Sequence, residues 1–232
     1  MKRHIASLIT VGMLSSTPAL AQDVDIAITN LTNGTYFTPL LIAAHVPTTH
    51  LFELGTAAST NLQAMAEGGD ISGLSIDLDA VGADKVENPA GGALAPGMTT
   101  TASLTTASGN THLSLVAMLV PTNDGFVGLD DLTLPSKPGT YTYYLNGYDA
   151  GTEANNEVVN GGGSPGVLGV PGDPGGNNGS GGTGVTTTEV NQTVHIHPGV
   201  LGDTNPSGGP SDLDSSIHRW LNPVAKLVIT IN

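Results

Sequence analysis

The chain has no cysteine. That excludes disulfides, thiol chemistry and a thiolate zinc site, and leaves core size or a bound metal to stabilise the fold. Basic residues are scarce too: six against 20 acidic ones, a net charge of −14. Nucleic acid and anionic membranes need neutralising cations, so so acidic a chain fits neither; it fits cations and neutral surfaces. No apolar run is long enough to cross a bilayer.

The beginning of the chain reads as a secretory signal rather than fold. Lys2 and Arg3 precede the short apolar run "IASLITVGMLS", and "PALAQ" sets Ala19 and Ala21 in a small-x-small cleavage pattern. Cleavage after Ala21 is expected, with residues 1–21 removed and 22–232 forming one domain. The remaining chain keeps four basic residues (Lys85, Lys137, Arg219 and Lys226) against 20 acidic ones, a net of −16. A secreted protein, periplasmic or extracellular, is the expectation.

Short apolar or alternating runs separated by turn residues predict an all-β protein. "VDIAITN" alternates through Val24, Ile26 and Ile28. "HLSLVAMLVP" (112–121) is the most apolar run and reads as a central strand. "FTPLLIAAHV", "GLSIDLDAV" (73–81), "TTTASLTTA", "TYTYYLNGY", "VTTTEVNQTVHIH" (185–197) and "VAKLVITI" complete the predicted strands. Asp77, Asp79 and Asp84 then line a solvated strand face. One helix is expected in "STNLQAMAEGGD", capped by Ser59 or Thr60 and stopped at Gly68 and Gly69.

Residues 160–184, "NGGGSPGVLGVPGDPGGNNGSGGTG", are glycine- and proline-rich. Glycine at every third position spells collagen, but four triplets are too few for a triple helix, so a disordered surface insertion is expected. "GGSPG" matches G-x-S-x-G only formally, since no strand-to-helix context surrounds it.

Two acidic loops carry candidate chemistry. "VPTNDGFVGLDDL" leaves the central strand through Asn123-Asp124-Gly125, and "YDAGTEANNE" sets Asp149 and Glu153 four apart. Calcium takes six to eight oxygens from such loops, and neighbouring strands would bring these two together. No EF-hand spacing is present, and solvated acidic turns are the alternative. Asn155, Asn156 and Glu157 read as loop surface. His195 and His197 in "VHIHPG" share a strand face, a spacing that a second metal or solvent-facing edge histidines would both satisfy. Trp220, the only tryptophan, reads as core or as a cap over its edge.

Four ordered blocks, "ITNLTNGTYFTPLLIAAH", "HLFELGTAASTNLQAMAEGGD", "LVAMLVPTNDGFVGLDDLTLP" and "YLNGYDAGTEANNE", resemble the spondin domain of F-spondin/mindin type, here in the form found in bacterial secreted proteins. They cover most of residues 26–157. The resemblance implies a C2-like antiparallel β-sandwich that binds one calcium through acids of the P-x-x-D-x-F-V-G loop and a D-A-G-T-D turn. Carried over, these are Asp124, Asp149 and Glu153, with Glu standing where the family has Asp. Similarity at "HIHPG" and "NPVAKLVI" places the last segment in the same domain. The resemblance further implies a cell-surface or matrix binding module for a glycan or protein ligand, without membrane insertion or enzymatic activity. A structural envelope protein in which calcium only stabilises the fold is the alternative. No local Ser-His-Asp arrangement activates a nucleophile, and metal-bound acids are unavailable for glycosidase chemistry.

Overall fold

In β1 (Asp23–Asn30), Val24, Ile26 and Ile28 point inward while Asp25, Ala27 and Thr29 point away, the period-two pattern of a half-buried strand. The structure is a computed structural model, described here for residues 21–176 and 178–232. The proposed signal segment thus lies almost wholly outside the described residues.

The other strands are β2 (Tyr36–Phe37), β3 (Leu41–His45), β4 (Asp84–Glu87), β5 (Thr99–Thr105), β6 (His112–Val120), β7 (Gly125–Thr133), β8 (Gly139–Asp149), β9 (His195–Ile196) and β10 (Ala225–Ile231). All pair antiparallel in the order β4-β3-β6-β7-β8-β10-β1-β5, with β2 added to β6 and β9 to β8. The end strands β4 and β5 lie against each other without forming a ladder, so the sheet is nearly a barrel. Strand β8 causes the curl. Its first part, Gly139–Leu145, pairs with β10, and its last, Asn146–Asp149, pairs with β7. One long strand therefore serves both halves of the sheet, where two separate sheets of a sandwich were expected.

Strand β6 is buried on both faces. Leu113, Leu115, Ala117 and Leu119 pack against the inward residues of β1 and β10. Val116, Met118 and Val120 face a second cluster beneath two helices, α1 (Thr60–Gly68) and α2 (Ser72–Ala80). Each fully buried Leu, Ile or Phe contributes roughly 1.5–3 kcal/mol. Trp220 joins the first cluster and presses on Gly147, where a side chain would collide with the indole.

Helix α1 starts as expected, with Ser59 Oγ accepting from the Leu62 N–H at 3.1 Å, and ends at Gly69. Helix α2 is a correction, because residues 73–81 read as a strand. Leu74 and Leu78 are buried and Ile76 is 66% exposed, which fits a turn of 3.6 residues and not an alternating strand. Just ahead of the helix the Asp70 carboxylate accepts from the Ser72 N–H at 2.9 Å, while the N-cap, Ile71, provides no side-chain cap. Asp77 and Asp79 therefore lie on a helix. Residues 185–194 are not strand either; they spend their polar groups on local turns such as Asn191 N–H to Glu189 and Thr193 Oγ1 to Asn191. Only His195 and Ile196 join the sheet. Among the described residues no helix is long and apolar enough to cross a membrane.

The glycine-rich segment is irregular but anchored, not the disordered insertion expected. Val170 is fully buried and bridges Val159, while Asn160 Nδ2 donates to the Leu168 carbonyl at 2.9 Å.

Candidate metal centre

The register of β7 against β8 sets Gly125 opposite Asp149. Asp124, one residue earlier, is thereby brought beside Asp149, and both are fully buried. The turn before β7 is held by Thr122, whose Oγ1 donates to the Leu119 carbonyl at 2.6 Å and accepts from the Gly125 N–H at 2.9 Å. The turn after β8 needs glycine at position 151. Its φ is 69°, and a Cβ there would collide with the backbone of Asn191 and Thr193.

Asp124 uses only one of its oxygens. Oδ2 accepts from the N–H groups of Thr152 at 2.8 Å and Glu153 at 3.1 Å and from Thr152 Oγ1 at 3.2 Å. Oδ1 is buried with no hydrogen-bond partner. Asp149 accepts from the Gly151 N–H at 2.8 Å and from Asn155 Nδ2 at 2.6 Å, and His195 Nδ1 stands 3.8 Å from its Oδ1. Burial, then the neighbouring Asp149 charge, pushes the Asp124 carboxyl up to about 8. Burial also raises Asp149, against the hydrogen bonds from Asn155 and Gly151. Two adjacent buried carboxylates with an orphaned oxygen, and among the described residues no Lys or Arg paired to them, form a site that a cation would complete.

Glu153, the third predicted ligand, does not turn its carboxylate to this pair. Its backbone N–H serves Asp124, while its side chain accepts from Asn123 Nδ2 at 3.2 Å and the Gly169 N–H at 3.0 Å and meets Glu67. Burial and the Glu67 carboxyl raise it to about 7, against the hydrogen bonds from Gly169 and Asn123. Among the described residues no three Asp, Glu or His side chains converge as a ready-made metal cluster. Asp124 and Asp149 form a pair, and an ion there would draw its remaining ligands from backbone carbonyls, amides and water. Oxygen-only donors on loops suit calcium.

The histidines go separate ways. His195 donates from Nδ1 to the Thr193 carbonyl at 2.8 Å beside Asp149. His197 is buried with its ring 5.0 Å from that of Trp220 and its Nδ1 accepting from the Gly199 N–H, and burial lowers it to about 3.

Asn156 and Glu157, read as loop surface, are buried. Glu157 is the hub of the C-terminal loops. It accepts from the N–H groups of Leu201 at 2.6 Å and Gly202 at 2.9 Å and from Ser211 Oγ at 2.6 Å. These partners lie 44 to 54 residues away, so nothing near Glu157 signals them. Glu157→Ala should cost about 2–3 kcal/mol, because buried Ser211 Oγ and the half-buried N–H groups of Leu201 and Gly202 lose their acceptor. Urea denaturation would measure the loss, and calcium binding should survive it.

A family model described as Spondin_N matches residues 30–158, more than half of the chain. No curated protein matches it. The match spans both acidic loops, α1 and the strands that set the loops side by side. The chain belongs to the Spondin_N family.

Proposed function

We propose that this protein is a secreted, calcium-binding module of extracellular adhesion type, in which calcium binds between Asp124 and Asp149 and rigidifies the loops at that end of a C2-like fold. The observation that carries the reading is the orphaned Oδ1 of buried Asp124 beside a second buried carboxylate. Membership of the family favours an extracellular binding role. Fully buried carboxylates cannot touch a substrate, so the reading assigns them no catalytic step.

A second reading, calcium as a purely structural ion, draws support from the same burial. A groove lined by His50, Phe52, Leu54, Asp130, Asp131 and Tyr148 is a separate candidate ligand surface along β7 and β8.

Calorimetric titration of chelator-treated protein with calcium tests the site. Asp149→Ala should bind one ion fewer than the wild type, with the far-ultraviolet spectrum unchanged. Equal binding by both proteins would refute it.

A further inference from the structure

The loop that leads into β9 is held at two points. The Val185 N–H donates to the Asn156 carbonyl at 3.0 Å, and the N–H of buried Val194 donates to the Thr56 carbonyl at 2.7 Å. Between these anchors the chain stays at the surface: Val190 is 89% exposed, and Asn191 and Gln192 are exposed beside it. Residues 189–193 read Glu-Val-Asn-Gln-Thr. Asn-x-Ser/Thr, with any residue but proline in the middle, is the acceptor pattern for N-linked sugar in exported proteins. An acceptor that a transferase reaches in the folded protein must lie in an exposed loop, and this one does.

The pattern occurs at Asn30, Asn33, Asn178 and Asn191, and the fold separates them. Asn30 is fully buried, and its Nδ2 donates to the carbonyls of Thr35 at 2.8 Å and Leu94 at 3.1 Å. Asn33 Nδ2 donates to the Ile217 carbonyl at 3.2 Å, and Thr35, the hydroxyl residue of that pattern, is fully buried. Ser180, the hydroxyl residue for Asn178, donates its Oγ to the Gly208 carbonyl at 3.0 Å. At Asn191 both parts are available. Thr193 Oγ1 donates to Asn191 Oδ1 at 2.7 Å, and Glu189 Oε1 accepts from the Asn191 N–H at 2.6 Å. Asn191 Nδ2 has no hydrogen-bond partner among the described residues. The local bonds thus hold the acceptor amide and the hydroxyl together on exposed backbone and leave the amide nitrogen free. Glu189, two residues ahead, offers a transferase a charge to grip.

We propose that Asn191 is the attachment site of an N-linked oligosaccharide. The donor is a sugar chain on a polyprenyl diphosphate carrier, delivered by a transferase outside the cytoplasm, so the proposal rests on the reading of the protein as secreted. In the transfer, Asn191 Nδ2 bonds to C1 of the first sugar and the C1–O bond to the carrier breaks. The carrier diphosphate keeps that electron pair, and Nδ2 gives up one proton. The site lies past residue 158, where the family match ends, so the sugar belongs to this chain's own C-terminal part and not to the matched region. Gly151, in the turn after β8, lies against the Asn191 carbonyl, so the sugar stands beside the calcium end of the molecule.

Peptide mass spectrometry of the protein purified from the cells that produce it, with N-terminal sequencing of the same sample, tests the site. The wild-type chain should begin at Gln22. Its peptide containing Asn191 should exceed the sequence mass by whole sugar residues, which fragmentation places on Asn191. Asn191→Gln and Thr193→Val, made in the same cells, should lose the added mass and keep the wild-type far-ultraviolet spectrum. Thr193→Ser, which keeps a hydroxyl, should retain the sugar. A chain that begins at Gln22 with the Asn191 peptide at its plain sequence mass would overturn this proposal and leave secretion standing. A chain that keeps residues 1–21 and carries no sugar would overturn both. Sugar on Asn191 in Thr193→Val, or on Asn33 or Asn178 in place of Asn191, would overturn the assignment.

Discussion

Phe126→Ala should lower the unfolding free energy by about 3–5 kcal/mol. Phe126 is fully buried at the second position of β7, two residues after Asp124. Its ring meets Phe52 edge-on at 5.0 Å between centroids and Tyr148 at 5.6 Å. Such aromatic contacts add about 0.5–1.5 kcal/mol each beyond the area they bury. The ladder also pairs Phe126 with Tyr148, the residue before Asp149. Truncation would open a cavity between the strands that carry Asp124 and Asp149, so calcium affinity should fall along with stability. Urea denaturation in saturating calcium would measure the first effect and calorimetric titration the second. A cost under about 1 kcal/mol would mean that the three rings do not pack as a buried cluster.

The second large effect is an inverted dependence on pH. In chelator, the protein should lose stability as pH rises from about 6.5 to 8.5, and calcium should remove most of that loss. A carboxyl with a folded pKa above its unfolded value holds a proton that the unfolded chain has already released. Its stabilising contribution is fully present below the unfolded pKa and is lost as pH climbs through the folded one. Asp124, raised from 3.8 to about 8, and Glu153, raised from 4.5 to about 7, both act this way, and Asp149 shifts in the same direction. Each such group gives a slope of about 1.4 kcal/mol per pH unit between its two pKa values. His197 acts oppositely. Lowered from 6.5 to about 3, it contributes stability above 6.5 that is lost as pH falls below that value. The window above 6.5 therefore isolates the carboxylates from His197. His50, raised by its hydrogen bond to Asp130, gives a slope of the carboxylates' sign whether calcium is present or not, so the difference between the two curves excludes it. Denaturant melts at half-unit pH steps, with calcium and with chelator, supply both curves.

The strands were readable where one physical signal acted alone. Strand β1 shows its alternation because one face is core and the other solvent, and β6 shows as a continuous apolar run because both faces are covered. Helix α2 was misread because Leu74 and Leu78, four apart, fit both a strand face and a helix face. The exposed Ile76 between them separates the two periods, and exposure is not written in the sequence. Residues 185–194 have the β-branched composition of a strand, but their Thr, Glu and Asn side chains bond locally and take the backbone out of the ladder.

The site was legible to the extent that strand register builds it. Asp124 and Asp149 flank a paired position of β7 and β8, so reading the strands places the two acids together. Glu153 sits beyond a tight turn, and its direction follows from Asn123 and the Gly169 N–H of the glycine-rich segment, neither of which its spacing from Asp149 reveals. The glycine-rich segment 160–184 was read as disordered because glycine composition reports the freedom of the unfolded chain. Its anchors are backbone N–H groups, which every sequence carries and none displays.

A thermal melt at pH 8, with calcium and with chelator, tests the central claim most directly. Calcium at a hundredfold excess over its dissociation constant should stabilise by about 2.7 kcal/mol per ion, a rise of about 5–10 °C for a chain of this size. In Asp149→Ala the part of the rise due to the ion between Asp124 and Asp149 should vanish. Superimposable melts with calcium and chelator in the wild type would contradict the account.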